Sequence, residues 1–144
     1  MMRRLPAKHN PYGSIEELSV AFTVGAEVDN VRNIGVQVKD ANGVNLTEPV
    51  ALTAYLSDDA DGSSVTSSAP DTVAIGTDGL AIPLVADKVF QLVTEDDGHL
   101  DLDITEDGSA TWYLVIVLPN GKLAISNEIT LGTTTTTTTT TTVP

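Results

Sequence analysis

Between Ser19 and Leu131 the chain is a succession of short apolar runs that alternate with polar residues. Turn-forming clusters separate the runs every ~8–12 residues, the spacing of an antiparallel β-sandwich or barrel. Ser19 to Gly25 sets Val20, Phe22 and Val24 on one face and Ser19, Ala21 and Thr23 on the other. Val31 to Lys39 repeats the pattern, with Ile34, Val36 and Val38 facing inward. Asp40-Ala41-Asn42-Gly43 then supplies a turn. A third strand follows on Val50, Leu52, Ala54 and Leu56, with Tyr55 on its opposite face.

Ser57 to Asp71 is the longest polar stretch of the body and reads as a loop. Short strands are expected over Val73–Ile75 and Leu80–Val85, around Gly76-Thr77-Asp78-Gly79. Pro83 has no N–H to give to a ladder, so its strand belongs at an edge or a bulge. Val89–Thr94 and Leu100–Thr105 come next, joined by Glu95-Asp96-Asp97-Gly98-His99. The most apolar stretch is Thr111 to Leu131, which folds on Pro119-Asn120-Gly121-Lys122 into a central hairpin. In its first strand Trp112 and Leu114 share one face and Tyr113 and Val115 the other. Val115, Ile116, Val117 and Leu118 run on without a polar break, which predicts a strand covered on both faces. The expected second cover is a neighbouring subunit or the N-terminal arm.

The fold class that results is all-β: an antiparallel, immunoglobulin-like β-sandwich of about eight or nine strands, with no helix. Three segments are expected: an extended arm over residues 1–18, the sandwich over 19–132 and a tail over 133–144. The tail opens with the threonines Thr133 to Thr142, a run that has no core-forming pattern. It can be read as a flexible tail, an O-glycosylated stalk, or threonines packed in register about an oligomer axis.

Composition narrows the chemistry. Aromatic residues make up only 4% of the 144 residues, so the core must be built from Val, Leu, Ile and Ala. The absence of cysteine excludes disulfides, thiolate metal sites and cysteine nucleophiles. Nothing near Arg3 and Arg4 resembles a secretion signal, and no window is apolar enough to span a membrane. Net charge is -13 and unevenly placed: Arg3, Arg4 and Lys8 sit in an arm that holds no acid before Glu16. The body that follows carries the acids and argues against nucleic-acid binding. The cationic arm on an acidic body is therefore the candidate attachment element, able to lie on a neighbouring copy.

Two acidic clusters are the candidate metal ligands, because carboxylates at sheet ends hold calcium in many sandwiches. One is Asp58, Asp59 and Asp61; the other is Asp96, Asp97, Asp101 and Asp103. Neither follows the twelve-residue EF-hand pattern, and solvated turn chemistry is the simpler account. Twenty acids make a carboxylate pair unavoidable by chance, and no groove of aromatic residues accompanies one, which speaks against glycoside hydrolysis. His9 and His99 stand in the arm and in a turn without a nucleophile motif, so no catalytic residue and no cofactor is assigned. Asn45-Leu46-Thr47 fits the N-glycosylation pattern, a short motif that is common by chance.

The phrases AFTVGAE (21–27), AYLSDDADG (54–62), AIGTDGL (74–80), KVFQLVTEDDGHLDLDIT (88–105) and TWYLVIVLPNGKLAISNEIT (111–130), in this order, resemble a family of small proteins. That family is encoded in the structural regions of tailed bacteriophages and prophages. The resemblance covers Ala21 to Thr130, lends no catalytic residues, and implies a non-enzymatic virion component such as a capsid decoration or fibre protein. It also implies partners: other copies of the chain and other virion proteins, with no nucleic acid and no membrane. Two other functions are open to such a chain, a subunit of a filament grown by strand addition and a calcium-dependent carbohydrate-binding module.

Overall fold

The computed structural model describes residues 18–132. The expected roles of Arg3, Arg4 and Lys8, and of Thr133 to Thr142, lie outside the described residues. Ten strands occur: β1 (Ser19–Val28), β2 (Val31–Lys39), β3 (Ala51–Ser57), β4 (Thr72–Ile75), β5 (Leu80–Val85), β6 (Val89–Val93), β7 (His99–Thr105), β8 (Ala110–Val117), β9 (Leu123–Ile125) and β10 (Ile129–Leu131). No helix is present among the described residues. The strands form two antiparallel sheets, one of four strands in the order β1-β2-β7-β4 and one of six in the order β10-β8-β3-β6-β5, with β9 also on β8. The first sheet follows the A-B-E-D order of an immunoglobulin domain and the β10-β8-β3 part of the second follows G-F-C. The hairpin β5–β6 is inserted between the D and E positions and widens the second sheet.

Alternation explains which side chains meet between the sheets. Ile34, Val36 and Val38 of β2 are fully buried, as are Ala54 and Leu56 of β3 and Leu114 and Ile116 of β8. Leu100, Leu102 and Ile104 of β7 and Phe90 and Leu92 of β6 belong to the same core. Burying one such Leu or Ile stabilises the fold by ~2 kcal/mol. Branched aliphatic residues fill the interior, with Phe90 and Trp112 the large buried aromatics. Arg32 of β2 ties the sheets at one end, donating from Nε to the Thr130 carbonyl at 2.5 Å and from Nη1 to the Gly25 carbonyl at 2.7 Å.

Most predicted strands form as expected. Pro83 lies on an edge strand and beside a bulge, because the β5–β6 register shifts between Pro83 and Val85. The hairpin turn closes with Gly121 at a φ of 86° and with the Leu118 N–H donating to the Lys122 carbonyl at 2.8 Å. Three expectations need correction. Leu18, assigned to the arm, is buried and belongs to the core. The second hairpin strand is broken into β9 and β10, since its pairing with β8 gains one residue across Ser126 to Glu128. At the break Ser126 replaces part of the ladder: its N–H donates to the Leu114 carbonyl at 2.9 Å, and its Oγ accepts the Leu114 N–H at 3.0 Å.

The third correction concerns the cover over β8. Val115 is fully buried although it points away from the core. Its cover comes from the chain itself: a Cβ placed on Gly62 would meet the Val115 methyls at 3.1 and 3.2 Å and Ile125 Cδ1 at 3.3 Å. The loop after β3 is folded over the outside of the second sheet. Gly62 holds a φ of 68° there, which a larger residue would adopt only under strain. Neither a neighbour nor the arm is needed for this contact.

Candidate functional site

The acidic clusters turn out to be pins for loops. Asp58 accepts hydrogen bonds from Thr66 Oγ1 at 2.5 Å, from the Ser67 N–H at 3.1 Å and from Ser67 Oγ at 3.1 Å. The Thr66 hydroxyl, followed by the Ser67 amide, holds this carboxyl below the usual carboxylate range. Asp59 accepts from Ser63 Oγ and Ser64 Oγ at 3.0 Å, and Asp61 from the Ser63 N–H at 3.1 Å. The buried Trp112 anchors the same loop, its Nε1 donating to the Ser68 carbonyl at 2.9 Å and to Thr66 Oγ1 at 3.2 Å. The Tyr55 hydroxyl donates to the Gly62 carbonyl. Burial, and then the Asp61 charge, push the Tyr55 hydroxyl pKa up.

The second cluster does not converge either. Asp101 is only 6% exposed and sits on β7 beside the β4–β5 turn. Its carboxylate accepts the N–H groups of Thr77 at 3.0 Å and Asp78 at 2.7 Å, together with Asn33 Nδ2 at 2.7 Å. Burial alone would raise its pKa; the hydrogen bonds from Asp78, Asn33 and Thr77 outweigh burial and lower it. Asp103 shares the Asn33 amide at 2.8 Å, while Asp97 caps its own turn by accepting the His99 N–H at 3.1 Å. Asp96 makes the adjoining exposed corner of that turn. Among the described residues no group of three or more His, Asp or Glu side chains gathers to hold a metal ion. Asn45 of the glycosylation pattern is exposed and accepts from Lys39 Nζ at 3.1 Å.

What sets the molecule apart is the difference between the outer faces of its two sheets. On the four-stranded sheet the outward positions are Ala21 and Thr23 on β1, Asn33, Gln37 and Lys39 on β2, and His99, Asp101 and Asp103 on β7. Gly35 at the middle leaves a shallow polar trough of about 510 Å³, where His99 Nδ1 lies 3.3 Å from Asp78 Oδ2. By contrast, β3, β5, β6, β8, β9 and β10 contain no Asp, Glu, Lys or Arg at all.

Register places the outward side chains of this second sheet in rows. Ile82, Gln91, Thr53, Val117 and Leu123 follow one another across five strands. A parallel row runs through Val85, Val89, Tyr55, Val115 and Ile125, and a shorter one through Leu80, Val93 and Ala51. Several remain open to solvent, with Leu80 53%, Ile82 45%, Val85 50% and Leu123 42% exposed. Beside this face, between β4 and β5, lies an apolar groove of about 420 Å³ lined by Val73, Ile75, Ala81, Pro83 and Phe90. Sequence reasoning reached only the β8 part of this face, through the unbroken Val115 to Leu118 run, because elsewhere it followed inward positions. The signal was there, in six strand segments without a charge in a chain of net charge -13.

No family model matches the chain, and no curated protein matches it significantly. Among solved structures it is similar to a cohesin module from the family 33 glycoside hydrolase of Clostridium perfringens ATCC13124, at 13% identity over 78% of this chain and 93% of that one, with a TM-score of 0.40. It also resembles the GAE domain of GGA2p from Saccharomyces cerevisiae, at 13% identity over 80% and 86% of the two chains, TM-score 0.26. A third likeness is to a GH20 exo-β-N-acetylglucosaminidase from Vibrio harveyi, at 15% identity over 78% of this chain but 17% of that one, TM-score 0.31. Similarity this distant carries no functional argument.

Proposed function

We propose that the chain is a non-enzymatic structural component of a bacteriophage particle, a capsid decoration or fibre-type protein that docks through its N-terminal arm and packs against protein through its sandwich. The observation that carries the packing role is the outer face of the six-stranded sheet, whose strands carry no charged residue and leave Leu80, Ile82, Val85 and Leu123 open to solvent. The particle itself is suggested by the sequence phrases that resemble phage structural-region proteins. Loop carboxylates spent on their own backbone, as at Asp58 and Asp101, support a scaffold rather than a reaction centre.

The sheet edges favour packing by faces over growth by strand addition. β1 is interrupted by a bulge between Val24 and Glu27, β4 has four residues, β5 carries Pro83 and a bulge, and β9–β10 is broken at Ser126. Each of these devices blunts an edge against pairing with another chain. Deletion of residues 1–17 tests the docking role. The truncated protein is expected to keep its fold by circular dichroism and to be missing from purified particles. Normal incorporation would sink the arm as attachment element, and absence of the full chain from particles would sink the virion reading.

A further inference from the structure

We infer that the charge-free face of the six-stranded sheet is where a second copy of this chain binds, sheet against sheet, in a weak symmetric dimer. The inference rests on the reading of that face as a protein-packing surface and does not depend on the particle. Its first support is electrostatic. With a net charge of -13, two copies repel wherever acidic surfaces meet, and a basic partner is drawn to the loops and to the four-stranded sheet. The strands of the six-stranded sheet carry no acid, so two such molecules meeting there bring acids near one another only at the Asp58–Asp61 loop that lies over Val115.

A second support is the match of surface to itself. The row Ile82, Gln91, Thr53, Val117 and Leu123 has Thr53 at its centre and large apolar side chains at both ends. A two-fold axis near Thr53 lays the Ile82 end of one copy on the Leu123 end of the other, and the polar centre on its own image. Such an isologous contact closes on itself and does not propagate. Thr53 Oγ1 donates to Gln91 Oε1 at 3.4 Å, and the Gln91 Nε2 donors are placed to bond across the contact.

Area sets the strength. Rows of five, five and three side chains at ~4.8 Å strand spacing, less the covered Val115, give a patch of roughly 400 Å² per copy, below the size of a standard specific interface and in the range of a weak one. A dimer populated at micromolar to higher concentrations is therefore expected, not a permanent one. Salt separates this partner from others: screening of like charges tightens the self-pairing, whereas docking of the acidic chain on a basic surface weakens.

Sedimentation equilibrium of the full chain at low and high salt tests the inference. The wild-type protein is expected to be a concentration-dependent dimer, tighter at high salt. Gln91→Lys, at a half-exposed position, is expected to weaken pairing by more than about tenfold, because it places an unpaired charge at the centre of the contact. Ala21→Lys on the other sheet is expected to leave it unchanged. If Gln91→Lys loses its fold by circular dichroism, Ile82→Lys at the exposed end of the row takes its place. A wild-type monomer at high concentration, or a dimer indifferent to these lysines, overturns the inference. A monomer that is nonetheless incorporated into particles removes the self-pairing and leaves the virion reading standing. A dimer absent from particles does the reverse.

Discussion

The two outer faces of this sandwich are made from the same kind of strand but are held in opposite ways. On β2 and β7 the outward residues are polar and already engaged, so that Asn33 bridges Asp101 and Asp103 and the β4–β5 turn hangs on the Asp101 carboxylate. On β3, β5, β6 and β8 the outward residues carry no charge and are mostly apolar, and among the described residues only the loop over Tyr55 and Val115 covers them. A polar face satisfied within one molecule fixes the fold of that molecule. An apolar face left half exposed gains by meeting another surface. Electrostatic repulsion and solubility are thus handled by one sheet and the loops, and packing capacity is kept on the other.

The comparison breaks most severely at Asp101. Replacing it with Asn puts a donor where two backbone N–H groups and the Asn33 amide need acceptors, and is expected to cost ~3 kcal/mol in urea unfolding. A loss below ~1 kcal/mol would show that the turn does not depend on this carboxylate. A smaller effect is expected at Trp112. Phe in its place keeps most of the core volume but removes the indole donor to Ser68 and Thr66, at a cost of ~1–2 kcal/mol. Faster hydrogen exchange at Gly62 to Thr66 in this variant would show the loop lifting from Val115. Unchanged exchange would place the loop's anchorage elsewhere, on Asp58.

The smallest effect is in acid. Asp58 and Asp101 have pKa values lowered in the folded chain, so their contribution is complete above the unfolded carboxylate range and is lost as pH falls through the lowered values. Stability is expected to stay level from neutrality down to about pH 5 and to decline below about pH 4. In Asp101→Asn the acid decline should be shallower, and an identical slope would assign it to other carboxylates.

Much of the architecture was legible because inward alternation is a local signal. Ile34, Val36 and Val38 repeat at two residues, and Pro83 announces its edge without knowledge of the partner strand. The split of β9 from β10 was not legible: nothing in Ser126-Asn127-Glu128 alone shows that a serine side chain stands in for a ladder bond. In the acidic clusters closeness in sequence does not bring convergence in space. Asp58 and Asp59 point to different partners within one loop, and Asp101 is drawn into its sheet while Asp96 is left at a corner. The packing face depends on register between strands as distant as β5 and β9, which no single segment encodes.

The uncharged sheet also bears on how the chain reaches its native state. β3 pairs with β8 across about sixty residues of sequence, so this sheet closes late compared with the local β1–β2 hairpin. Until then its segments are sticky strands in an open chain. Four of them are bracketed by charge: Glu48 and Asp58 around β3, Asp78 and Asp87 around β5, Lys88 and Glu95 around β6, Asp107 and Lys122 around β8. Such flanking charges act as gatekeepers against intermolecular β-aggregation during synthesis. The charged loops of the finished sheet are thus the same residues that separate its apolar strands while the chain is still open.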